Sequence, residues 1–80
     1  MIAFITGATA GYGYATAEKF LREGWSVVAA GRRVERIDPL KKTYGDRVLP
    51  LKLDVTRRDD VLRAVEALPG VAMVVGAVNA

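Results

Sequence analysis

The sequence predicts an α/β protein built on one parallel β-sheet. Apolar runs typical of buried strands alternate with helix-like segments, and a glycine-rich loop separates the first strand from the first helix. The hydrophobic content of 51% is sufficient for a packed core. Strands that are apolar at successive positions suit a sheet covered on both faces, as parallel sheets are. Residues 1–80 form a single domain with no linker or internal repeat.

The first half of the chain predicts two strands, residues 1–6 and 25–30, each followed by a helix. The first helix covers residues 14–23, and Gly24 stands where a helix end favours a positive φ. The second covers about residues 39–44 and leaves two starts open. Asp38 caps the helix with Pro39 at its first position, or a short turn precedes it.

The second half predicts a strand at residues 48–53, a helix at 59–68 and a strand at 71–78. Pro50 cannot donate a ladder hydrogen bond, which places the third strand at an edge of the sheet. Right-handed crossovers then give the strand order 3-2-1-4, with two helices on one face and one on the other. The fourth strand becomes an apolar edge beside an under-covered face. We therefore expect a homodimer formed by that edge, that face or exchange of the C-terminal segment.

Composition excludes several classes of site. The chain has no cysteine and no histidine, which rules out disulfides, thiolate or imidazole metal ligands and a Ser-His-Asp triad. Without cysteines we expect a cytoplasmic protein. The N-terminal residues are interpreted as a strand rather than a leader peptide, and no apolar run is long enough to cross a membrane. The net charge of +3 comes from separated basic pairs without interleaved aromatic residues, which argues against a nucleic-acid partner.

The glycines of the first loop predict an anion site. Gly7, Gly11 and Gly13 lie between a strand and a helix, where backbone N–H groups meet the positive end of the helix dipole. A phosphate fits there, although a purely structural turn is the alternative. The spacing T-G-x-x-x-G-x-G is neither a triphosphate P-loop nor the G-x-G-x-x-G fingerprint.

Five segments in order carry a resemblance that covers essentially the whole chain. They are TGATAGYG (residues 6–13), FLREGW (20–25), GRR (31–33), LDVT (53–56) and LP (68–69). Together they resemble the short-chain dehydrogenases/reductases, most closely the NADP-dependent members that oxidise small hydroxy acids. The resemblance implies a Rossmann-like fold of the order β-α-β-α-β-α-β and a bound dinucleotide.

The resemblance also implies roles for matched residues. Gly7, Gly11 and Gly13, with the backbone at Tyr12, would cradle the pyrophosphate. Thr9 would bond a phosphate or merely cap the loop. Asp54 and Val55 would face the adenine, with a loop acid or N-cap as the alternative for Asp54.

The end of the second strand predicts the cofactor. An acidic residue there would bond both ribose hydroxyls and favour NAD. This chain has Gly31 followed by Arg32 and Arg33, and a guanidinium can hold the extra 2′-phosphate of NADP bidentately. A solvated basic turn is the alternative. We expect NADP(H) to bind, and NAD(H) more weakly.

The catalytic motif of the family has no match among these residues. No tyrosine is followed four residues later by lysine, and Ser26 lies within the second predicted strand. Asn79 stands out of register with the asparagines that close the family's fourth strand. We therefore expect no enzyme, but a truncated, engineered or reconstructed dinucleotide-binding half-domain. A self-associating scaffold without cofactor, or one chain of a split oxidoreductase, are the alternatives.

Overall fold

A computed structural model describes residues 1–9 and 11–76. Strands and helices alternate in the predicted order: β1 (Ile2–Thr6), α1 (Gly11–Arg22), β2 (Ser26–Gly31), α2 (Asp38–Tyr44), β3 (Val48–Lys52), α3 (Arg58–Ala67) and β4 (Val71–Val75). Short 3-10 turns at Val34–Ile37 and Gly45–Arg47 precede α2 and β3. The predicted end of the fourth strand and Asn79 lie outside the described residues.

The sheet is four-stranded and parallel with the order β3-β2-β1-β4, which confirms the predicted fold class. Pro50 lies in β3, opposite Ala29 of β2. Because β3 is an edge strand, the missing N–H of Pro50 is tolerated there. Because the strands are parallel, the loops that follow β1, β2 and β3 all leave from the same edge.

Two separate cores lie on the two faces of the sheet. Helices α1 and α2 cover one face, where Ala17, Leu21 and Leu40 pack with residues of β1 and β2. Helix α3 covers the other, where Val61 packs with Phe4 and Val28. The sheet thus has two helices on one face and one on the other, as right-handed crossovers require.

The helix starts differ from those predicted. Helix α1 begins at Gly11 rather than at residue 14, so the glycine loop passes directly into its first turn. Ahead of α2 the structure has a short turn, and Asp38 is already helical, with φ −50° and ψ −42°. Asp38 therefore does not cap the helix, and the alternative of a preceding turn is confirmed.

Arg47 joins three elements at the amino-terminal edge of the sheet. Its guanidinium donates to the backbone carbonyls of Leu21, at the end of α1, and Trp25, just before β2, with 2.8 Å from Nη2 to the Trp25 oxygen. The guanidinium also lies over the ring of Tyr44, 5.5 Å from its centroid. These contacts hold the start of β3 against the end of α1.

Candidate nucleotide-binding site

Three loops meet at the carboxyl edge of the sheet. The Ala8 N–H donates to the carbonyl of Ala30 at 3.2 Å, and the Leu53 N–H donates to that of Gly31 at 3.0 Å. The loops surround an open cavity of about 360 Å³. It is lined by Gly7, Thr9, Gly31, Arg32, Arg33, Arg36, Asp54, Val55 and Thr56. In open α/β sheets this edge is where ligands bind.

The glycine loop has the backbone that an anion cradle needs. Gly7 and Gly11 have φ values of 69° and 48°, in the left-handed region that favours glycine. A Cβ at either position would meet no atom within 4 Å, so backbone conformation and not crowding accounts for both. At Gly13 the reason is crowding, since a Cβ there would collide with the carbonyl oxygen of Gly7.

The first turn of α1 carries no acidic residue that would repel an anion. Gly11, Tyr12 and Gly13 form this turn, whereas Gly7 and Thr9 line the cavity itself. The Tyr12 residue is 93% exposed, so the packing of the described residues leaves its side chain in solvent.

A third arginine joins the two that the sequence analysis singled out. Arg32 and Arg33 follow β2 and are exposed, and Arg36 lines the same cavity from the 3-10 turn Val34–Ile37. In a 3-10 turn, side chains three residues apart lie on the same side. The three-residue spacing of Arg33 and Arg36 was the sequence signal that both line the same site. It was missed because the helix was expected to start at about residue 39, beyond both arginines.

Asp54 is fixed by hydrogen bonds at both carboxylate oxygens. Its Oδ1 accepts from the Thr56 hydroxyl at 2.6 Å and from the Thr56 N–H at 3.0 Å. Its Oδ2 accepts from Arg32 Nη2 at 2.9 Å. These bonds, the Thr56 hydroxyl first and then Arg32, lower the pKa of Asp54 to about 2. An ionised carboxylate therefore lies beside the arginines.

The alternative of Asp54 as an N-cap is wrong. The N-cap of α3 is Arg57, and no side chain caps that helix end by a hydrogen bond. Asp54 instead closes a turn with Thr56, a residue that the sequence analysis did not assign to the site. Val55 is half-buried and lines the cavity.

A second cavity, of about 290 Å³, lies at the opposite edge of the sheet. It is mainly apolar and is lined at the strand starts by residues such as Ile2, Leu49 and Val71. Within residues 1–9 and 11–76, no group of acidic side chains could hold a metal ion. No helix in the described part of the chain is long and apolar enough to cross a membrane.

Comparison with known proteins relates the chain to the short chain dehydrogenases. The family model for short chain dehydrogenases matches residues 1–78. The chain is 45% identical over 65 residues to serine 3-dehydrogenase of Agrobacterium fabrum, covering 81% of this chain and 26% of that protein. It is 41% identical over 69 residues to the NADP-dependent 3-hydroxy acid dehydrogenase YdfG of Escherichia coli K12, covering 86% and 28%.

Solved structures of the same family resemble the fold of this chain. The closed form of serine dehydrogenase complexed with NADP+ superposes with a TM-score of 0.71 at 40% identity, covering 88% of this chain and 28% of that one. A short-chain dehydrogenase/reductase from Burkholderia multivorans with bound NADP gives a TM-score of 0.70 at 30% identity, covering 86% and 31%.

These relatives overturn one expectation. The absence of Tyr-x-x-x-Lys led us to expect no enzyme, yet the matched proteins are dehydrogenases. The chain spans only 26–28% of the length of these curated relatives. The absence of a catalytic motif from so short a part carries no conclusion about activity, and the expectation is wrong.

Proposed function

Because the chain belongs to the short chain dehydrogenase family, we propose that it forms the NADP-binding part of an oxidoreductase. One observation carries the proposal. The cavity at the carboxyl edge brings the glycine loop together with Arg32, Arg33 and Arg36 and with Asp54, which is paired to Arg32. A dinucleotide with an extra phosphate needs this combination of an anion cradle and a cluster of guanidinium groups.

The glycine loop fits the pyrophosphate. A Cβ at Gly7 or Gly11 would meet no atom within 4 Å, and both have the left-handed backbone from which successive N–H groups can form an anion-binding concavity. We assign the pyrophosphate to Gly7, Gly11 and Gly13 and the backbone of Tyr12. Thr9 borders this part of the cavity.

The arginines fit the 2′-phosphate. Among the residues that the structure describes, Arg32 donates to Asp54 from Nη2 only, so its other N–H donors are available to a ligand. Arg33 and Arg36 add two further cations at the same rim. We assign the adenine to Asp54 and Val55, in the loop that follows β3.

The substrate of the whole protein is also a proposal. The relatives named above act on serine and on 3-hydroxy acids. We therefore propose a small hydroxy acid, or the corresponding carbonyl compound, as the substrate class. When bound, NADP+ would accept the hydride from a hydroxy acid, and NADPH would supply it to the carbonyl compound.

Replacing Arg32 tests the cofactor assignment. In the unmodified chain NADPH should bind roughly tenfold or more tightly than NADH, because a charge-assisted hydrogen bond contributes about 1.5–3 kcal/mol. Arg32→Ala should remove most of this difference, as measured by isothermal titration calorimetry.

Arg22→Ala is the matched control. It removes the same charge from a side chain of similar exposure, 67% against 69%, but Arg22 lies at the far end of α1. It should leave the preference unchanged. Equal affinities of the unmodified chain for both nucleotides would refute the assignment, and no binding of either would favour the scaffold alternative.

The homodimer is a further proposal. Its support is that Met73 and Val74 of the edge strand β4 are 45% and 42% exposed.

We also propose that residues 1–80 form a single domain. The support is the continuous alternation of strands and helices around one sheet.

A further inference from the structure

Gly31 stands where an acidic side chain would select NAD, and its backbone does not require glycine. The described glycines with positive φ are Gly7, Gly11, Gly24, Gly45, Gly70 and Gly76, and Gly31 is not among them. It ends β2 in regular pairing with Lys52 of β3. An L-residue could therefore adopt this backbone. The reason for a glycine here must be steric crowding of a side chain and not the backbone conformation.

That crowding comes from Thr9. A Cβ at Gly31 would lie 2.6 Å from Thr9 Cγ2, 2.8 Å from Thr9 Oγ1 and 3.2 Å from Thr9 Cβ. Distances below 3 Å require one partner to move. Threonine branches at Cβ and has a stiff χ1, so its side chain gives way less readily than a long flexible one.

We propose that Thr9 is a specificity-determining residue, whose side chain excludes from the end of β2 the carboxylate that would bond the ribose hydroxyls of NAD. The inference rests on the proposed function and adds a second component to it. The arginines attract the 2′-phosphate of NADP, and Thr9 prevents an acidic side chain from occupying position 31, where it would favour NAD. Specificity commonly combines an attractive element with an excluding one.

The geometry predicts how substitutions combine. Gly31→Asp alone places its Cβ against Thr9, which must shift together with the glycine loop that carries it. Thr9→Ala removes the two nearest atoms, at 2.6 and 2.8 Å, and keeps the Thr9 Cβ at 3.2 Å. The effects of the two substitutions should therefore be strongly non-additive, as expected for residues in contact.

The experiment compares the unmodified chain, Thr9→Ala, Gly31→Asp and the double variant. Affinities for NADPH and NADH are measured by isothermal titration calorimetry, and the thermal unfolding midpoint is measured without nucleotide. Gly31→Asp alone should lower the midpoint and weaken binding of both nucleotides. The double variant should recover the midpoint and prefer NADH by roughly tenfold, since the new carboxylate bonds the ribose hydroxyls and repels a 2′-phosphate.

Thr9→Ser combined with Gly31→Asp is the matched control. Serine can retain the oxygen that lies 2.8 Å from the added Cβ and loses only Cγ2. This variant should resemble Gly31→Asp alone more than the double variant with alanine. Gly31→Ala with and without Thr9→Ala repeats the test of contact through the unfolding midpoint alone, without introducing a charge.

Three results would decide against the inference. NADH preference in Gly31→Asp alone, with an unchanged midpoint, would show that Thr9 excludes nothing. Additive effects of Gly31→Ala and Thr9→Ala on the midpoint would show the same. Failure of the unmodified chain to bind NADPH would overturn the proposed function and this inference together, whereas the first two results leave NADPH binding by the unmodified chain intact.

Discussion

The hydrogen bonding and the low pKa of Asp54 depend on two residues that contact it, Thr56 and Arg32. Thr56 donates both its hydroxyl and its N–H to one carboxylate oxygen, and Arg32 donates to the other. All three residues belong to the candidate site, and the carboxylate holds one of the arginines that we assign to the 2′-phosphate. Its ionisation is therefore tied to the arrangement of the site.

The titration of Asp54 is a prediction at this scale. Its pKa of about 2 should be visible in the carboxyl ¹³C shift by NMR. The pKa is lowered on folding from 3.8, so the associated stabilisation is fully present above that unfolded value and is lost as the pH falls toward 2. Thr56→Val should raise the pKa more than Arg32→Ala, because the Thr56 hydroxyl is the largest cause. An ordinary pKa in the unmodified chain would contradict the hydrogen bonding described.

The sequence could predict the site residues whose type alone is informative. Gly7 and Gly11 suit a loop with positive φ, and Arg32 follows a strand end where cofactor choice is made. Arg36 and Thr56 were missed because their positions depend on local turns. A 3-10 turn brings Arg36 to the cavity, and a turn closed by Asp54 brings Thr56 there.

At the scale of elements, Arg47 connects α1, β2 and β3 through hydrogen bonds to the backbone carbonyls of Leu21, at the end of α1, and Trp25, just before β2. Nothing in the sequence distinguished this arginine from the solvated ones. Its role depends on the crossover that returns the chain beside the end of α1. Strand order, by contrast, followed from Pro50 and the right-handed crossover rule.

Arg47→Ala should lower the free energy of unfolding by about 1–3 kcal/mol, the usual effect of losing hydrogen bonds to a charged group. Urea denaturation measures this change. Arg63→Ala, at a side chain that is 74% exposed on α3, should change stability by about 0.5 kcal/mol or less. NADPH affinity should stay the same in both variants, since neither residue lines the candidate site. Equal stability of the two variants would show that Arg47 does not join these elements.

At the scale of the whole molecule, residues 1–9 and 11–76 cover the sheet unevenly. Residues 72–74 of β4 are exposed, while its neighbour β1 and the next strand, β2, are almost wholly buried. Apolar surface gains about 25 cal/mol per Å² on burial, so a patch of a few hundred Å² supplies several kcal/mol for association. This uneven coverage is the physical basis of the proposed homodimer.

Met73→Lys should therefore weaken self-association of the 80-residue chain, measured by sedimentation equilibrium at high micromolar concentration. Leu62→Lys is the control, because Leu62 is similarly exposed, at 44% against 45%, but lies on α3. The control should leave the dimer intact. A stable monomer for the unmodified chain at these concentrations would refute the homodimer.

The central claim is that an NADP-type dinucleotide binds at the carboxyl edge of the sheet. Backbone amide shifts, followed by NMR during titration with NADP+, test it most directly. We predict saturable changes concentrated at Gly7, Thr9, Gly13, Arg32 and Asp54, with little change at the opposite cavity around Ile2, Leu49 and Val71. Changes concentrated at that opposite cavity, or none at saturating NADP+, would contradict the claim.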